Sequence, residues 1–549
     1  MNILGLFNGN CSGVCIISGK QIRYAALEER FTRVKFMRSF PIRAIEDGLQ
    51  RCGLSTEDIA VVACGAWANP DIETIADFLN AARLINAERA SERLYHSLRS
   101  DHEFKTEFID KSRSLFPNAS IQTFDHHYSH ACTAFYPSSF DNAWVLTVDG
   151  RGDLQSAVIW YGDRKTGLRR IKTLSELRSL GALYGQITGY LGFVPDRHEG
   201  KVTGLAAHGA KTDLISKMEK MLVFDGETIT PSDSFVPFLK PDNSNLKCIC
   251  DGYSSEDIAC AVQTVLEKSI LGLILRYVPK GANLALAGGV FANVKLNQRI
   301  RESGHVSNMF IFPEMGDGGN SAGGAIAAAV DSGVDCFDFQ HVYLGPEYKW
   351  SEADLHGLDV DYIAEHKAMA FRVVELLTAG KFIGFFSGRM EYGPRALGAR
   401  SILFSPRDPE INNKANARLN RTEFMPFAPI TLPELAHELF IGWSPEDINT
   451  NFMTTCYPCS ERMKKFCPGA VHIDGTARPQ VVDAENAPPL LVEIIKVYTQ
   501  ISGEPALINT SFNNHEEPIV CTPSDAVESL RKGNVDYIVS DGLLISLRV

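Results

Sequence analysis

The sequence has no uninterrupted apolar run of the roughly 18–20 residues that a membrane span requires, so no transmembrane helix is expected. The opening MNILGLFNGN has no basic stretch followed by a signal-type apolar core, and a cytoplasmic location is the expectation. Positive charge is not in excess: 54 Lys and Arg against 66 Asp and Glu leave a net charge of −12. That argues against a large nucleic-acid footprint, which needs a basic surface, and makes small-molecule chemistry the default. An even set of cysteines is also missing. The thirteen are scattered through segments such as VVAC and GVCIIS, which suits reduced, buried thiols better than a disulfide framework. Cys456, Cys459 and Cys467, followed by His472, raise the thought of a zinc knot, but no second CxxC completes it.

What is present is long enough for two or three domains, each with its own core. The composition, 45% hydrophobic and 22% charged, is that of a soluble globular protein, and the strand and helix patterns below give the fold class as α/β. The start reads as three short strands, NILGL, GVCIIS and IRYAALEE, with a Gly19-Lys20 turn between the second and third. That order matches the opening of an actin/hexokinase-type (ASKHA) half-domain. A helix around Ala44–Arg51 and a strand at VVACGAW follow. Residues 71–115 are charged and helical. SIQTFDHHYSHACTAFY then joins a strand to a helix, and AWVLTVDGRGD is a buried strand ending in an acidic, Gly-rich turn. NLALAGGVFANVKLNQRI and MFIFPEMGDGGNSAGGAIAAAV repeat that strand–turn–helix grammar. Such turns aim backbone N–H groups at anions. Near Val342–Trp350 the pattern changes, which predicts one domain over 1–347 and a second over 348–549.

The sharpest constellation is His126-His127-Tyr128-Ser129-His130. On a helix His126 and His130 lie at i and i+4, share one face, and offer two imidazoles to a metal. Asp149 ends a buried strand, and Asp317 sits in the turn MGDGGN. A His₂Asp₂ set leaves room for water or substrate on Fe²⁺, Mn²⁺ or Zn²⁺. Gly150, Gly152, Gly288, Gly289, Gly318 and Gly319 occupy three turns that suit a nucleotide lying across a cleft. Lys201 and Lys35 are candidate phosphate contacts, with plain surface lysines as the alternative. In the second half, GRMEYGPRALGARSIL puts Arg395 between a Gly-Pro turn and a predicted helix. RTEFMPFAP, HIDGTARPQVV and NTSFNNHEEPIV add Arg421, His472, Arg478, Asn509, Ser511, Asn513 and His515. Guanidiniums, amides and hydroxyls on loops suit phosphates and a planar carbamoyl group.

EERFTR (28–33), HHYSH (126–130), VDGRG (148–152), GLAAHG (204–209), GGVFAN (288–293), GPRALGARS (393–401), PFAP (426–429), HIDGTARPQ (472–480) and NTSFNNHEEPI (509–519) together resemble the NodU/CmcH O-carbamoyltransferases, in family order and over nearly the whole chain. The resemblance implies an N-terminal TsaD-like domain of ASKHA fold and a C-terminal YrdC-like domain. The YrdC-like site would join carbamoyl phosphate to ATP, with Mg²⁺, to give carbamoyl-adenylate. The TsaD-like site, holding iron, would pass the carbamoyl group to a hydroxyl of a small acceptor in a biosynthetic step. Carried over by motif, the metal ligands are His126, His130, Asp149 and Asp317. The catalytic set is Asp149, Lys35 and Arg395. Nucleotide and carbamoyl-phosphate contacts fall on Gly150, Lys201, Gly288, Gly289, Asn293, Arg395, Arg421, Arg478, Ser511, Asn513 and His515.

The departures from the family pattern fall on functional positions. Asn10 and Phe36 stand where the family has histidines, Asn420 replaces a lysine, and Met425 and His515 replace arginines. A charged hydrogen bond contributes about 1.5–3 kcal/mol, so these changes bear directly on whether carbamoyl phosphate is the donor. Two other readings stay open. One is the same fold acting on a nucleoside or 5-hydroxymethylpyrimidine acceptor, or with another donor. The other is a nucleotide-binding protein with a degenerate activation half. A homodimer is possible on either.

Overall fold

The computed structural model describes residues 1–235, 244–420 and 427–548. The chain forms two compact units. One comprises Met1–Ala25 and Arg38–Phe339, and the other comprises Ala26–Met37 with everything from Gln340 onward. The units therefore part between Phe339 and Gln340 rather than after residue 347. The EERFTR segment, although near the N-terminus, belongs to the second unit.

The first unit is built on ten main strands. They are β1 (Asn2–Phe7), β2 (Gly13–Ser18), β3 (Gln21–Leu27), β4 (Ile59–Cys64), β5 (Ser120–Thr123), β6 (Asn142–Gly152), β7 (Gln155–Asp163), β8 (Gly167–Ser175), β9 (Asn283–Ala287) and β10 (Asn308–Ile311). They form two five-stranded sheets, ordered β3-β2-β1-β4-β5 and β8-β7-β6-β9-β10. In each sheet the first strand of the half lies at the centre. It pairs antiparallel with the second and parallel with the fourth, and the fifth runs parallel to the fourth. The same topology occurring twice in one chain is the ASKHA duplication, and it rests on this strand order alone. The central strands read as continuous apolar runs because both faces are covered.

Five helices of this unit matter below: α1 (His126–Phe135), α2 (Glu199–Ala206), α3 (Ser255–Tyr277), α4 (Val294–Glu302) and α5 (Asn320–Asp331). By length and mean hydropathy α3 alone among the described helices could cross a membrane. Its apolar residues have another explanation. Ile258, Val262, Val265, Leu266, Ile270 and Leu273 are buried in the same cluster as Leu146, Val148 and Leu286 of the second sheet. Burial of each such side chain contributes about 1.5–3 kcal/mol. The charged region 71–115 is two helices, Ile72–Ala82 and Ala87–Leu115, the second capped by Asn86, whose side chain accepts from Glu88 and Arg89 N–H groups.

The second unit holds one mixed eight-stranded sheet. Its strands are β11 (Leu358–Tyr362), β12 (Ile383–Phe386), β13 (Arg400–Phe404), β14 (Ala428–Thr431), β15 (Gln480–Val481), β16 (Leu507–Ser511), β17 (Tyr537–Ser540) and β18 (Leu543–Leu547). Their order is β11-β18-β17-β12-β13-β16-β14-β15. Helices α6 (His366–Thr378) and α7 (Pro489–Ser502) share a core with it through Val373, Leu377, Ile494 and Tyr498.

None of the thirteen cysteines, all within the described residues, is in a disulfide. Cys456, Cys459 and Cys467 are buried. The one cluster of potential metal ligands among the described residues contains no thiol.

Candidate functional site

The two halves of the first unit each send a helix from the end of their fifth strand to the same place. Helix α1 follows β5, and α5 follows β10. The two helices pack closely because α5 presents small residues. A Cβ on Gly323 would lie 2.5 Å from the Ser129 carbonyl oxygen of α1, so nothing larger than glycine fits there.

The start of α1 is held by two carboxylates. Asp125 caps it through the Tyr128 N–H, at 2.7 Å, and Gln155 Nε2 donates to the other Asp125 oxygen. Asp153 accepts the N–H of His126 itself, at 2.8 Å, together with those of Trp67 and Ala68. Burial, helped by the charge of Asp125, pushes the Asp153 carboxyl up to about 7. A Cβ on Gly152 would stand 2.1 Å from Cγ of His126, so the glycine of VDGRG is what lets the imidazole occupy its place. Asp149 projects where the β6–β7 register shifts, between Val148 and Gly152. The N–H groups of Gly150 and Gly289 fix its carboxylate, at 2.6 and 2.9 Å.

The four sequence-derived ligands converge. His126, His130, Asp149 and Asp317 each offer one atom, and those atoms lie within 4.8 Å of one another. His130 Nε2 is 3.1 Å from His126 Nε2, 3.3 Å from an Asp149 oxygen and 3.8 Å from an Asp317 oxygen. His126 Nε2 lies 3.5 Å from Asp317 and 3.9 Å from Asp149. Nitrogen and oxygen ligands bound at about 2.0–2.2 Å must sit roughly 3–4.3 Å apart. This donor set, two imidazoles and two carboxylates, fits a divalent cation and would leave coordination positions over.

His127, between the two, is a different case. Its Nδ1 lies 2.9 Å from the hydroxyl of Thr147, which itself donates to the Val158 carbonyl. Burial, with His126 and His130 adding to it, keeps His127 well below the ordinary histidine pKa. It is a neutral core histidine. For His126 burial again opposes charge, but Asp149, Asp317 and Asp153 outweigh it and raise the pKa to about 9. Asp149, despite burial, is held well below the usual carboxylate range by the two histidines.

Two pH effects follow. In cation-free protein the charged His126 stabilises the fold fully below its unfolded pKa of 6.5, and that contribution fades as pH rises towards 9. A cation must displace the same proton. Cation affinity should therefore rise by about tenfold per pH unit between pH 7 and 9 and then level off. Calorimetric titration of Mn²⁺ in buffers of different protonation enthalpy should show about one proton released per cation at pH 7.

The remaining first-unit candidates have other partners. The Gly289 N–H is committed to Asp149, and Gly288, at φ +103°, packs against the Val148 carbonyl. Asn293 caps α4 through the Leu296 N–H and donates to Gln263 Oε1 at 2.7 Å. It sits in a network with Thr203 and Tyr184. Lys201 is half-buried over the Phe193 ring. Lys35 falls in the segment that belongs to the second unit.

In the second unit the loop carrying Arg395 is not followed by the predicted helix. Residues 393–399 form an irregular loop leading into β13. The reason is Glu391: one carboxylate oxygen accepts the N–H groups of Leu397, Ala399 and Arg400, at 2.6–3.1 Å, in place of helical carbonyls. Gln480 Nε2 donates to the Leu397 carbonyl, and Asn509 Nδ2 donates to the Ala396 carbonyl and to Gln480 Oε1. The loops bearing Arg395 and Arg478 are thus tied to each other and to strand β16, which ends at Ser511. Arg30 Nη2 donates to the Gly393 carbonyl, and Arg33 donates to the carbonyls of Pro518 and Ile519. EERFTR, a motif without an evident task in the sequence, is a brace for these loops. The amide of Asn513 is spent on its own loop, donating to the carbonyls of Asn514 and Glu517. The His515 ring lies beside Glu516. Arg421 and Met425 lie outside the described residues.

Sequence reading also missed Asn320. Fully buried at the start of α5, it places its amide nitrogen 3.3 Å from His126 Nδ1 and 3.4 Å from His130 Nε2. Its position three residues after Asp317, at a helix start, was the available signal.

A duplicated ASKHA sheet pair with a His₂Asp₂ cluster at the meeting of two helices, fused to a second mixed α/β unit, defines a two-part enzyme. Comparison with known proteins identifies which. Residues 2–329 match the family model Carbamoyltransferase N-terminus and residues 374–546 match Carbamoyltransferase C-terminus. The chain belongs to the NodU/CmcH carbamoyltransferase family and is a transferase. It is 31% identical to Nodulation protein NolNO of Sinorhizobium fredii, over 97% of this chain and 78% of that protein. With an uncharacterized protein of Synechocystis it shares 30% identity over 97% of this chain and 95% of the other. Among solved structures, HypF of T. kodakarensis matches at 14% identity and a TM-score of 0.33, over 61% of this chain and 48% of its own.

Proposed function

We propose that the protein is an ATP-dependent O-carbamoyltransferase that makes carbamoyl-adenylate in its second unit and uses it in its first. Carbamoyl phosphate would lose phosphate to water. The resulting carbamate oxygen would attack the α-phosphorus of ATP, with Mg²⁺, and pyrophosphate would leave. An acceptor hydroxyl would then attack the carbamoyl carbon, with AMP as leaving group and its proton passing to a base. Free carbamate is a poor acyl donor because its leaving group is poor, and that is the reason for two sites. The observation that carries the reading is the convergence of His126, His130, Asp149 and Asp317.

Bound there, a divalent cation (Fe²⁺ by family resemblance, Mn²⁺ or Zn²⁺ by donor chemistry) would supply Lewis acidity towards a carbonyl or a hydroxyl. The chain's own residues do the rest. The N–H groups of Gly150 and Gly289 hold Asp149 in one orientation. Arg478 and Arg395, on loops tied through Gln480 and Asn509, would take the phosphate and carboxylate charges of the activation step. The acceptor is read as a small hydroxylated molecule, and thirteen cysteines outside any disulfide fit a reducing cytoplasm.

The test is pyrophosphate release from ATP, measured with and without carbamoyl phosphate. Release that depends on carbamoyl phosphate is the expected result. If release is absent while synthetic carbamoyl-adenylate is still consumed in the presence of an alcohol, the activation half is wrong and the transfer half stands.

A further inference from the structure

The amide of Asn320 faces the two histidines with its nitrogen, and that orientation leaves a problem. An imidazole that offers Nε2 to a cation carries its proton on Nδ1, and that N–H needs an acceptor. His126 Nε2 is the atom turned towards Asp149 and Asp317, so its Nδ1 is the one that must donate. The group 3.3 Å from that Nδ1 is the Asn320 amide nitrogen, itself a donor. Meanwhile Asn320 Oδ1, on a side chain with no exposed surface, has no hydrogen-bond partner. The two faults have one remedy. Rotation of the amide by about 180° exchanges nitrogen and oxygen, which are nearly indistinguishable by shape. Oδ1 then takes the place of the nitrogen now 3.3 Å from His126 Nδ1 and 3.4 Å from His130 Nε2, where it can accept the His126 Nδ1–H.

We infer that Asn320 is a positioning residue of the His₂Asp₂ centre, its Oδ1 accepting the Nδ1–H of His126 and so fixing the tautomer that leaves Nε2 free for a cation. This rests on the cluster being a cation site and adds to it the residue that orients one ligand. Asn320 is well placed for the task. It opens α5 three residues after Asp317, so the helix that brings one carboxylate to the cation also brings the group that aims His126.

The test uses the full chain, Mn²⁺ titration and the variants Asn320→Leu and Asn320→Asp. The leucine is close in volume and has no acceptor, while the aspartate keeps one. The expected result is a 10–100-fold weaker Mn²⁺ affinity in N320L, the range typical for losing such a partner. N320D should recover most of it, and the cation-free melting temperature should change little in either. A second readout needs no variant. In Zn²⁺-loaded wild-type protein labelled with ¹⁵N-histidine, His126 should show a protonated, hydrogen-bonded Nδ1.

Equal Mn²⁺ affinity in N320L and wild type would overturn the proposal alone, as would an unprotonated His126 Nδ1 in the loaded protein. Should N320L fail to fold, the wild-type spectrum decides. Wild-type protein that binds neither Mn²⁺ nor Zn²⁺ would remove the cation reading and this proposal with it.

Discussion

Asp149→Ala is expected to reduce carbamoyl transfer by at least about 10³-fold while leaving carbamoyl-phosphate-dependent pyrophosphate release unchanged. The size follows from what the carboxylate does. It lies 3.3 Å from His130 Nε2, is held rigidly by two glycine N–H groups, and supplies one of only two negative charges at the cluster. Lewis-acid stabilisation contributes several kcal/mol to a transition state, and each 1.36 kcal/mol is about tenfold in rate. The split between the two activities carries the information. A variant that merely unfolded the protein would lose both, whereas one that empties a first-unit site should lose only transfer. D149A should also bind no Mn²⁺ under conditions where wild type does. If transfer persists at a tenth of the wild-type rate or better, Asp149 is not part of the transfer centre.

Arg478→Met should have the opposite signature. The Arg478 side chain is largely withdrawn from water, its Nε has no hydrogen-bond partner, and no carboxylate among the described residues pairs with it. Burial accordingly pulls its pKa below the ordinary arginine value, with only the thiol of Cys456 acting the other way. A guanidinium held out of water without a counter-ion destabilises the fold unless an anion completes it. A charge-assisted hydrogen bond to such an anion contributes about 1.5–3 kcal/mol. R478M should therefore slow pyrophosphate release by roughly 10–150-fold. It should also melt at the same temperature as wild type or higher, because the buried charge is gone. Transfer from supplied carbamoyl-adenylate should be intact. A variant that loses stability but keeps its rate would show that Arg478 is a structural residue.

The parts of this molecule that were legible in its sequence share a physical reason. The HHYSH segment could be read because helix periodicity is local: residues four apart share a face whatever the rest of the chain does. The strands of the first unit could be read because buried central strands are apolar runs bounded by turns. What escaped depends on contacts across long separations. The segment after Arg395 has residues compatible with a helix, but Glu391 takes up three of its N–H groups and leads it into a strand. EERFTR looked like part of the first unit because of where it stands in the chain. Arg30 and Arg33 reach carbonyls more than 360 residues away, which no local pattern encodes. Asn293 looked like a nucleotide contact, and its role as partner of Gln263 in a half-buried amide network, beside that of helix cap, depends on a residue distant in the chain. Glycines that suggested phosphate turns proved partly steric: Gly152 makes room for the His126 ring, and the N–H of Gly289 orients Asp149.

The transfer chemistry depends on a cation held by four side chains drawn from three separate stretches of chain, and anomalous diffraction from a crystal soaked in Mn²⁺ addresses that directly. The prediction is one strong difference peak within about 2.0–2.3 Å of His126 Nε2, His130 Nε2 and one oxygen each of Asp149 and Asp317. A crystal that takes up Mn²⁺ elsewhere, with no density between these four side chains, would contradict it.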